Sequence, residues 1–175
     1  GAGYTYRVQQ NPGGVAQALM CAADGSGHRQ VAVILADNLF LPTPKIAKVG
    51  RGAARCYLHR SGSHDLTQFG VPLFTVGTVE DAPRVVEVVE KPTVPPSEYA
   101  VTGLYVFDGD VWDVARDLAI GKRGEYDITG VLNEYADCGR LDHVVHGGFW
   151  GDAGTPAGLI SCGMAAMEHL TYREE

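Results

Sequence analysis

From position 30 to position 36 the chain reads Gln-Val-Ala-Val-Ile-Leu-Ala, apolar at every residue after the first, and then stops at Asp37-Asn38. A strand with one wet face alternates apolar and polar side chains, whereas a short run without alternation suits a strand covered on both faces of a parallel or mixed sheet. Covering both faces requires a layer on each side, which points to a three-layer α/β architecture. Further apolar strands are expected at 71–76, 85–90, 100–107 and 141–146, with a shorter one at 4–9. The second and third of these are joined to their neighbours by a turn at Glu80-Asp81-Ala82-Pro83 and an extended loop at 92–96.

Helices alternate with these strands. One runs over 15–23 behind the Asn11-Pro12-Gly13-Gly14 turn, one from an Asp108 or Asp110 cap to about residue 118, and one from an Asp127 cap to near Gly139. A last helix occupies 157–170, with Thr155 as cap and Pro156 in its first turn. No repeat of 20 to 50 residues is visible. Residues 42–68 turn polar and irregular, with only a weak strand candidate at 53–59. At 175 residues and 45% hydrophobic content the chain can bury one substantial core, so residues 1–175 are expected to form a single domain.

The net charge of −7, without any block of Lys or Arg, makes DNA or RNA an unfavourable partner, so a phosphorylated ligand would need local positive charge. No apolar run approaches the length of a membrane span, and the N-terminus lacks a basic region followed by an apolar one, which leads to the expectation of an untargeted, cytoplasmic protein. Cys21, Cys56, Cys138 and Cys162 are widely spaced and read as reduced thiols. His143 and His146 would point to opposite faces of a strand, so a zinc site is not expected.

Several segments offer chemistry. Asp37 follows an apolar strand, where open α/β sheets bind ligands; a turn cap and a Mg²⁺ ligand are equally good readings of it. A second carboxylate would be Asp152 in Phe149-Trp-Gly-Asp-Ala-Gly-Thr155, where glycines admit a close backbone approach, or which is simply a glycine-rich connection. Two such acids around one metal would serve in-line nucleotidyl transfer. Glu90-Lys91-Pro92 ends a strand; Glu90 could accept sugar hydroxyls and Lys91 could meet a phosphate, or both are exposed charges before a turn. Gly103 inside a strand calls for something packed close to the backbone, a ligand or a neighbour. Lys122 and Arg123, in a glycine turn, are read as structural. Asp108-Gly-Asp110 imitates the D-x-D of metal-dependent glycosyltransferases but sits where helix caps are expected. Ser61 and His64 lack any nucleophile-elbow context for a hydrolase.

Taken in order, the segment from Tyr6 to Ala18, Tyr-Arg-Val-Gln-Gln-Asn-Pro-Gly-Gly-Val-Ala-Gln-Ala, resembles the base-recognition segment Y-x-V-Q-x-x-P-x-G-L-A-Q-A of the glucose-1-phosphate thymidylyltransferases, within the sugar-phosphate nucleotidylyltransferases. The likeness continues through Val33-Ile-Leu-Ala-Asp-Asn-Leu-Phe40, Phe69-Gly-Val71, Glu90-Lys-Pro92, Tyr99-Ala-Val-Thr-Gly-Leu-Tyr105, Arg123-Gly-Glu125 with Asp127-Ile-Thr129, and Trp150-Gly-Asp-Ala-Gly-Thr155. The resemblance implies a Rossmann-like α/β nucleotidyltransferase fold with a mixed sheet. It also implies transfer of a thymidylyl or uridylyl group from dTTP or UTP to a hexose 1-phosphate, with Mg²⁺. By the same resemblance Gln9 reads the base edge, Gly14 lies against the base, and Asp37 and Asp152 hold the metal. Gly70, Glu90, Lys91, Val101 and Gly103 line the sugar-phosphate pocket.

The family's opening strand and its glycine-rich G-x-G-T-R-L segment, whose amides and cations grip the triphosphate, have no counterpart in these residues. The fold is therefore expected to be N-terminally incomplete, with an open edge beside residues 31–35 that invites a homo-oligomer or a complementing chain. The alternative is a catalytically inactive sugar-nucleotide-binding fragment or pseudoenzyme subunit.

Overall fold

The structure, a computed structural model, describes residues 3–23, 30–62, 64–75, 83–118, 121 and 124–171. Its elements run α1 (Val15–Ala22), β1 (Gln30–Ile34), β2 (Asn38–Leu41), β3 (Ala54–Arg60), a 3-10 turn (Leu66–Gln68), β4 (Gly70–Phe74), β5 (Val85–Glu90), β6 (Tyr99–Asp108), α2 (Val111–Asp117), α3 (Ile128–Asp137), β7 (Leu141–Val145), β8 (Phe149–Asp152) and α4 (Pro156–Thr171). Residues 80–82 of the expected turn at 80–83, and Lys122 and Arg123, lie outside the described residues.

The main sheet is mixed, ordered β1-β6-β3-β7, with β1 and β3 antiparallel to β6 and β7 parallel to β3. Two ribbons accompany it, β2 with β8 and β4 with β5, both antiparallel. The central strand β6 is buried from Ala100 to Phe107 because each of its faces has a cover. Successive side chains alternate faces, so Val101, Tyr105 and Phe107 meet the core formed with α1, α2 and α3. Leu104 and Val106 join Tyr57 on the other face, under Phe40 and Val49.

The irregular segment of the sequence supplies part of this second cover. The Tyr57 hydroxyl donates to the Lys45 carbonyl at 2.8 Å and Gln30 donates to the Val49 carbonyl at 2.6 Å, which lays residues 45–49 across the sheet. The weak strand candidate is the inner strand β3. Asn133 of α3 bonds both backbone groups of Val88, donating to its carbonyl and accepting from its amide, and so clamps the β4–β5 ribbon to the helical layer.

Three expectations need correction. The apolar run at 30–36 lies in a mixed sheet, as expected, but is not covered on both faces: β1 is an antiparallel edge strand whose Val31 and Val33 face the core while Ile34 stands 57% exposed. Its cover ends at Phe40 and Val49, which reach Tyr57, Leu104 and Val106 instead. Among the described residues no strand pairs its outer edge, as expected of an open edge. Residues 4–9 form no strand; Tyr4, Tyr6 and Val8 are exposed because no sheet edge lies beside them. Phe149–Asp152, read as a glycine connection, is a strand, paired residue for residue with β2.

The expected caps stand at their helix starts, but neither Asp110 before α2 nor Asp127 before α3 makes a side-chain capping hydrogen bond. Thr155 caps α4 by accepting from the Gly158 amide at 3.1 Å. Asp108 and Asp110 are structural: the first accepts from the Gly52 amide at 2.7 Å, the second from the Tyr135 hydroxyl at 2.7 Å and from Arg140. The four cysteines are unpaired, and the described residues contain neither a metal-binding group of three or more His, Cys, Asp or Glu nor a helix long and apolar enough to cross a membrane.

Candidate active site

The β2–β8 ribbon brings the two predicted metal carboxylates together. Asp37 occupies the turn into β2 and Asp152 ends β8, and the ladder pairs Asn38 with Asp152. The Ala153 amide donates to the Asp37 carbonyl at 2.7 Å, locking the two turns. A methyl group added at Gly154 would lie 2.9 Å from Asp152 Oδ1 and 3.3 Å from Asp37 Oδ2, so both carboxylates border one small volume that glycine keeps open. Asp37 Oδ1 accepts from Asn38 Nδ2 at 2.8 Å and Asp152 Oδ1 from the Gly154 amide at 2.7 Å. No described donor bonds the other oxygen of either acid. Paired hard oxygens held by neighbouring amides fit the donor set of Mg²⁺.

Beside this pair lies a cleft. Gly14 at the start of α1 and Thr129 in the first turn of α3 form one side; Gly70 and Glu90, cross-strand partners in the β4–β5 ribbon, form another; Val101, Gly103 and Tyr105 of β6 form the floor; Trp150 and Asp152 close the end. Six of the nine predicted site residues, Gly14, Gly70, Glu90, Val101, Gly103 and Asp152, thus share one wall system although they come from four strands and the turn before α1. Glu90 accepts a short hydrogen bond from Thr129, which aims the carboxylate along the wall. Tyr105 is buried, and burial first, then the Cys56, Glu90 and Asp37 charges, push its phenol far up, so it stays neutral.

Two glycines are required by close approach. Gly14 adopts φ 106°, and a methyl there would sit 2.5 Å from the Tyr126 carbonyl oxygen. At Gly103 it would meet the Asn38 amide at 2.6 Å, so the glycine admits both a packed neighbour and the cleft. Gln9 donates to the Gly14 carbonyl at 3.2 Å and to Gln17, which points its own carbonyl away from these acceptors. Lys91 is exposed in a left-handed conformation, φ 46°, with its amide tied to the Phe69 carbonyl; it follows Glu90 but is not one of the residues lining the cleft. Four carboxylates, Glu90, Glu125, Asp127 and Asp152, line the cleft, and no described Lys or Arg does.

A family model described as "Nucleotidyl transferase" matches residues 2–169. The chain belongs to the nucleotidyl transferase family. Among curated proteins it is 38% identical to a glucose-1-phosphate thymidylyltransferase of Mycolicibacterium smegmatis, covering 91% of this chain and 55% of that protein. It is 35% identical to one of Actinoplanes, covering 97% of this chain and 54% of that protein. The chain spans about half the length of the curated relatives it matches. A Bacillus anthracis protein assigned as a glucose-1-phosphate thymidylyltransferase, crystallised with sucrose, superposes with a TM-score of 0.75 at 33% identity, over 92% of this chain and 64% of that one. A UDP-glucose pyrophosphorylase complexed with UDP-glucose superposes equally well at 22% identity, covering 91% and 64%, which speaks for the shared fold.

Within this member of the family, residues that sequence reasoning passed over hold the site in shape. Asn38 Oδ1 accepts from the Gly103 amide at 2.8 Å and from the Trp150 indole at 2.7 Å while its amide donates to Asp37, so one side chain joins the floor, the end wall and the Asp37 carboxylate. In sequence it was only the second residue of a turn. Tyr105 was findable, because the period of two that places Val101 and Gly103 on the cleft reaches it next.

Behind Trp150 stand His59 and His64, with ring centroids 5.6 and 4.8 Å from the indole; His146 lies 6.4 Å from His59. Neither His59 Nδ1 nor His64 Nδ1 has a partner among the described residues. Burial lowers both pKa values, with His64 adding to the shift at His59, the His146 backbone partly opposing it there, and Asp152 partly opposing it at His64. Their folded values therefore lie below the unfolded value of 6.5. Between these values the unfolded chain binds more protons, so the stabilisation is present above pH 6.5 and is lost as pH falls through the folded values. Urea midpoints measured from neutral to mildly acidic pH should fall, and His64→Phe should flatten that slope; an unchanged slope would show that His64 does not titrate in this range.

Proposed function

We propose that the active unit transfers a nucleotidyl group from dTTP or UTP to a hexose 1-phosphate, with Mg²⁺, releasing pyrophosphate. The observation that carries this reading is the convergence of Gly70, Glu90, Val101 and Gly103 on one cleft whose end abuts the Asp37–Asp152 pair. An acidic cleft repels phosphate unless a cation intervenes, and the two aspartates are where Mg²⁺ would be held. When bound, Mg²⁺ would neutralise charge on the sugar phosphate and on the α-phosphate of the nucleotide.

The chain's own groups do the rest. Glu90, oriented by Thr129, accepts hydrogen bonds from sugar hydroxyls, and the glycines at 70 and 103 let the sugar approach the backbone. Lys91 supplies positive charge next to that wall. With its amide nitrogen engaged by Gly14 and Gln17, Gln9 offers its carbonyl to the N3–H that thymine and uracil share. A phosphate oxygen of the sugar then attacks the α-phosphorus in line. The new P–O bond forms as the bond from the α-phosphorus to the bridging oxygen breaks, and pyrophosphate leaves with that oxygen.

The test is pyrophosphate release by the purified chain with glucose 1-phosphate, Mg²⁺ and either dTTP or UTP, alongside calorimetric binding of dTDP-glucose. Release supports the full reading, and the faster nucleotide gives the base. Binding without release supports the second reading, a sugar-nucleotide-binding subunit, favoured by the absence of any described cation lining the cleft. Neither release nor binding overturns both.

A further inference from the structure

An amide side chain can present either its oxygen or its nitrogen, and which of the two Gln9 turns outward decides what kind of base edge it can meet. The choice is fixed only if its contacts lead back to a group that cannot change role. A backbone N–H always donates and a backbone carbonyl always accepts. The turn before α1 supplies one of each.

The Gly13 amide donates to Gln17 Oε1 at 2.9 Å, so Gln17, in the first turn of α1, aims its oxygen back at the turn. That same oxygen accepts from Gln9 Nε2 at 2.5 Å. The other contact of Gln9 Nε2, to the Gly14 carbonyl at 3.2 Å, is longer but has the same polarity. Gln9 Oε1 accepts from no described residue, and it stands beside Gly14, which lines the cleft. The fit depends on residue 13 having no side chain: a methyl there would lie 2.8 Å from Cδ, Oε1 and Nε2 of Gln17. Gln17 thus carries the polarity of one backbone amide across to Gln9.

We propose that Gln17 is a positioning residue for base selection: it reads the Gly13 N–H and holds the Gln9 amide with its oxygen outward, which favours thymine and uracil over cytosine. The first two bases offer a donor at N3, which that oxygen accepts. Cytosine offers a lone pair there, which the oxygen repels. Without Gln17 the Gln9 amide keeps only the longer Gly14 bond and can turn to serve either kind of base. The inference rests on the reading that Gln9 meets the base, and it adds the residue that sets the direction of the contact.

Calorimetric titration of the purified chain with dTDP and with dCDP, both in the presence of Mg²⁺, tests this. The parent should favour dTDP, and Gln17→Met should reduce the ratio of the two affinities by about 10-fold or more, with circular dichroism unchanged. Gln17→Glu keeps an oxygen for both donors and should retain the parent ratio. Gly13→Ala displaces the Gln17 amide without altering its chemistry and should lower the ratio as Gln17→Met does. A Gln17 that only packs would weaken both nucleotides alike, so a ratio unchanged in Gln17→Met and Gly13→Ala overturns the inference while leaving the reading of Gln9 in place. A parent that binds neither nucleotide, or that prefers dCDP, overturns that reading and the inference with it.

Discussion

Trp150→Ala is expected to destabilise the chain by about 3–5 kcal/mol, the usual cost of emptying a buried aromatic site. The indole is 1% exposed, packs against His59, His64 and Phe69, and donates its N–H to Asn38. Truncation removes the ring contacts, opens a cavity beside two imidazoles, and takes one donor from Asn38 Oδ1. Since a domain of this size is stable by only about 5–15 kcal/mol, the loss is a large share of the total. Urea unfolding measures it. Trp150→Phe separates the contributions: it keeps a ring in place and leaves Asn38 its bond from Gly103, so it should cost only about 1 kcal/mol. A Trp150→Ala loss no larger than that of Trp150→Phe would mean the end wall is held by other contacts.

Asp37→Asn and Asp152→Asn are each expected to weaken the Mg²⁺-dependent part of dTDP-glucose binding, and of any pyrophosphate release, by about 10²-fold or more. Asparagine keeps the shape and an oxygen for the Asn38 or Gly154 bond, so the ribbon is retained while the anionic ligand is lost. If both acids serve one ion, the double substitution should be hardly worse than either single one, the signature of residues acting as a unit. Stability should be unchanged or slightly raised, because one of several neighbouring negative charges is removed. Calorimetric titration with and without Mg²⁺ reads the effect; single variants with undiminished Mg²⁺ dependence would remove the metal assignment.

The parts of the fold legible in sequence were those specified locally. Helix α4 begins behind a Thr-Pro signal, α3 behind Asp127, and β5 and β6 are apolar segments bounded by proline or aspartate. Glycines at 14 and 103 could be marked as close-approach positions, because only a glycine is worth placing where a Cβ would clash. Order along the chain also carried the family resemblance, and with it most of the cleft residues.

Other features depended on partners far away in sequence. Whether 30–34 is an inner or an edge strand is decided by what lies beside and over it, and hydrophobicity alone cannot distinguish a residue facing a missing cover from one facing a core. The strand at 149–152 exists because β2, more than a hundred residues earlier, offers it a ladder. Asn38 became a junction only when folding set Gly103 and Trp150 within hydrogen-bond reach of it. The sequence by itself determined the residue types capable of the chemistry, the glycine positions and the helix starts, since these follow from local stereochemistry. Tertiary structure alone decided that Asp37 and Asp152 share one volume, that Glu90 faces Thr129, and that α4 keeps an apolar face outward, because each depends on which distant elements pair and which surfaces remain uncovered.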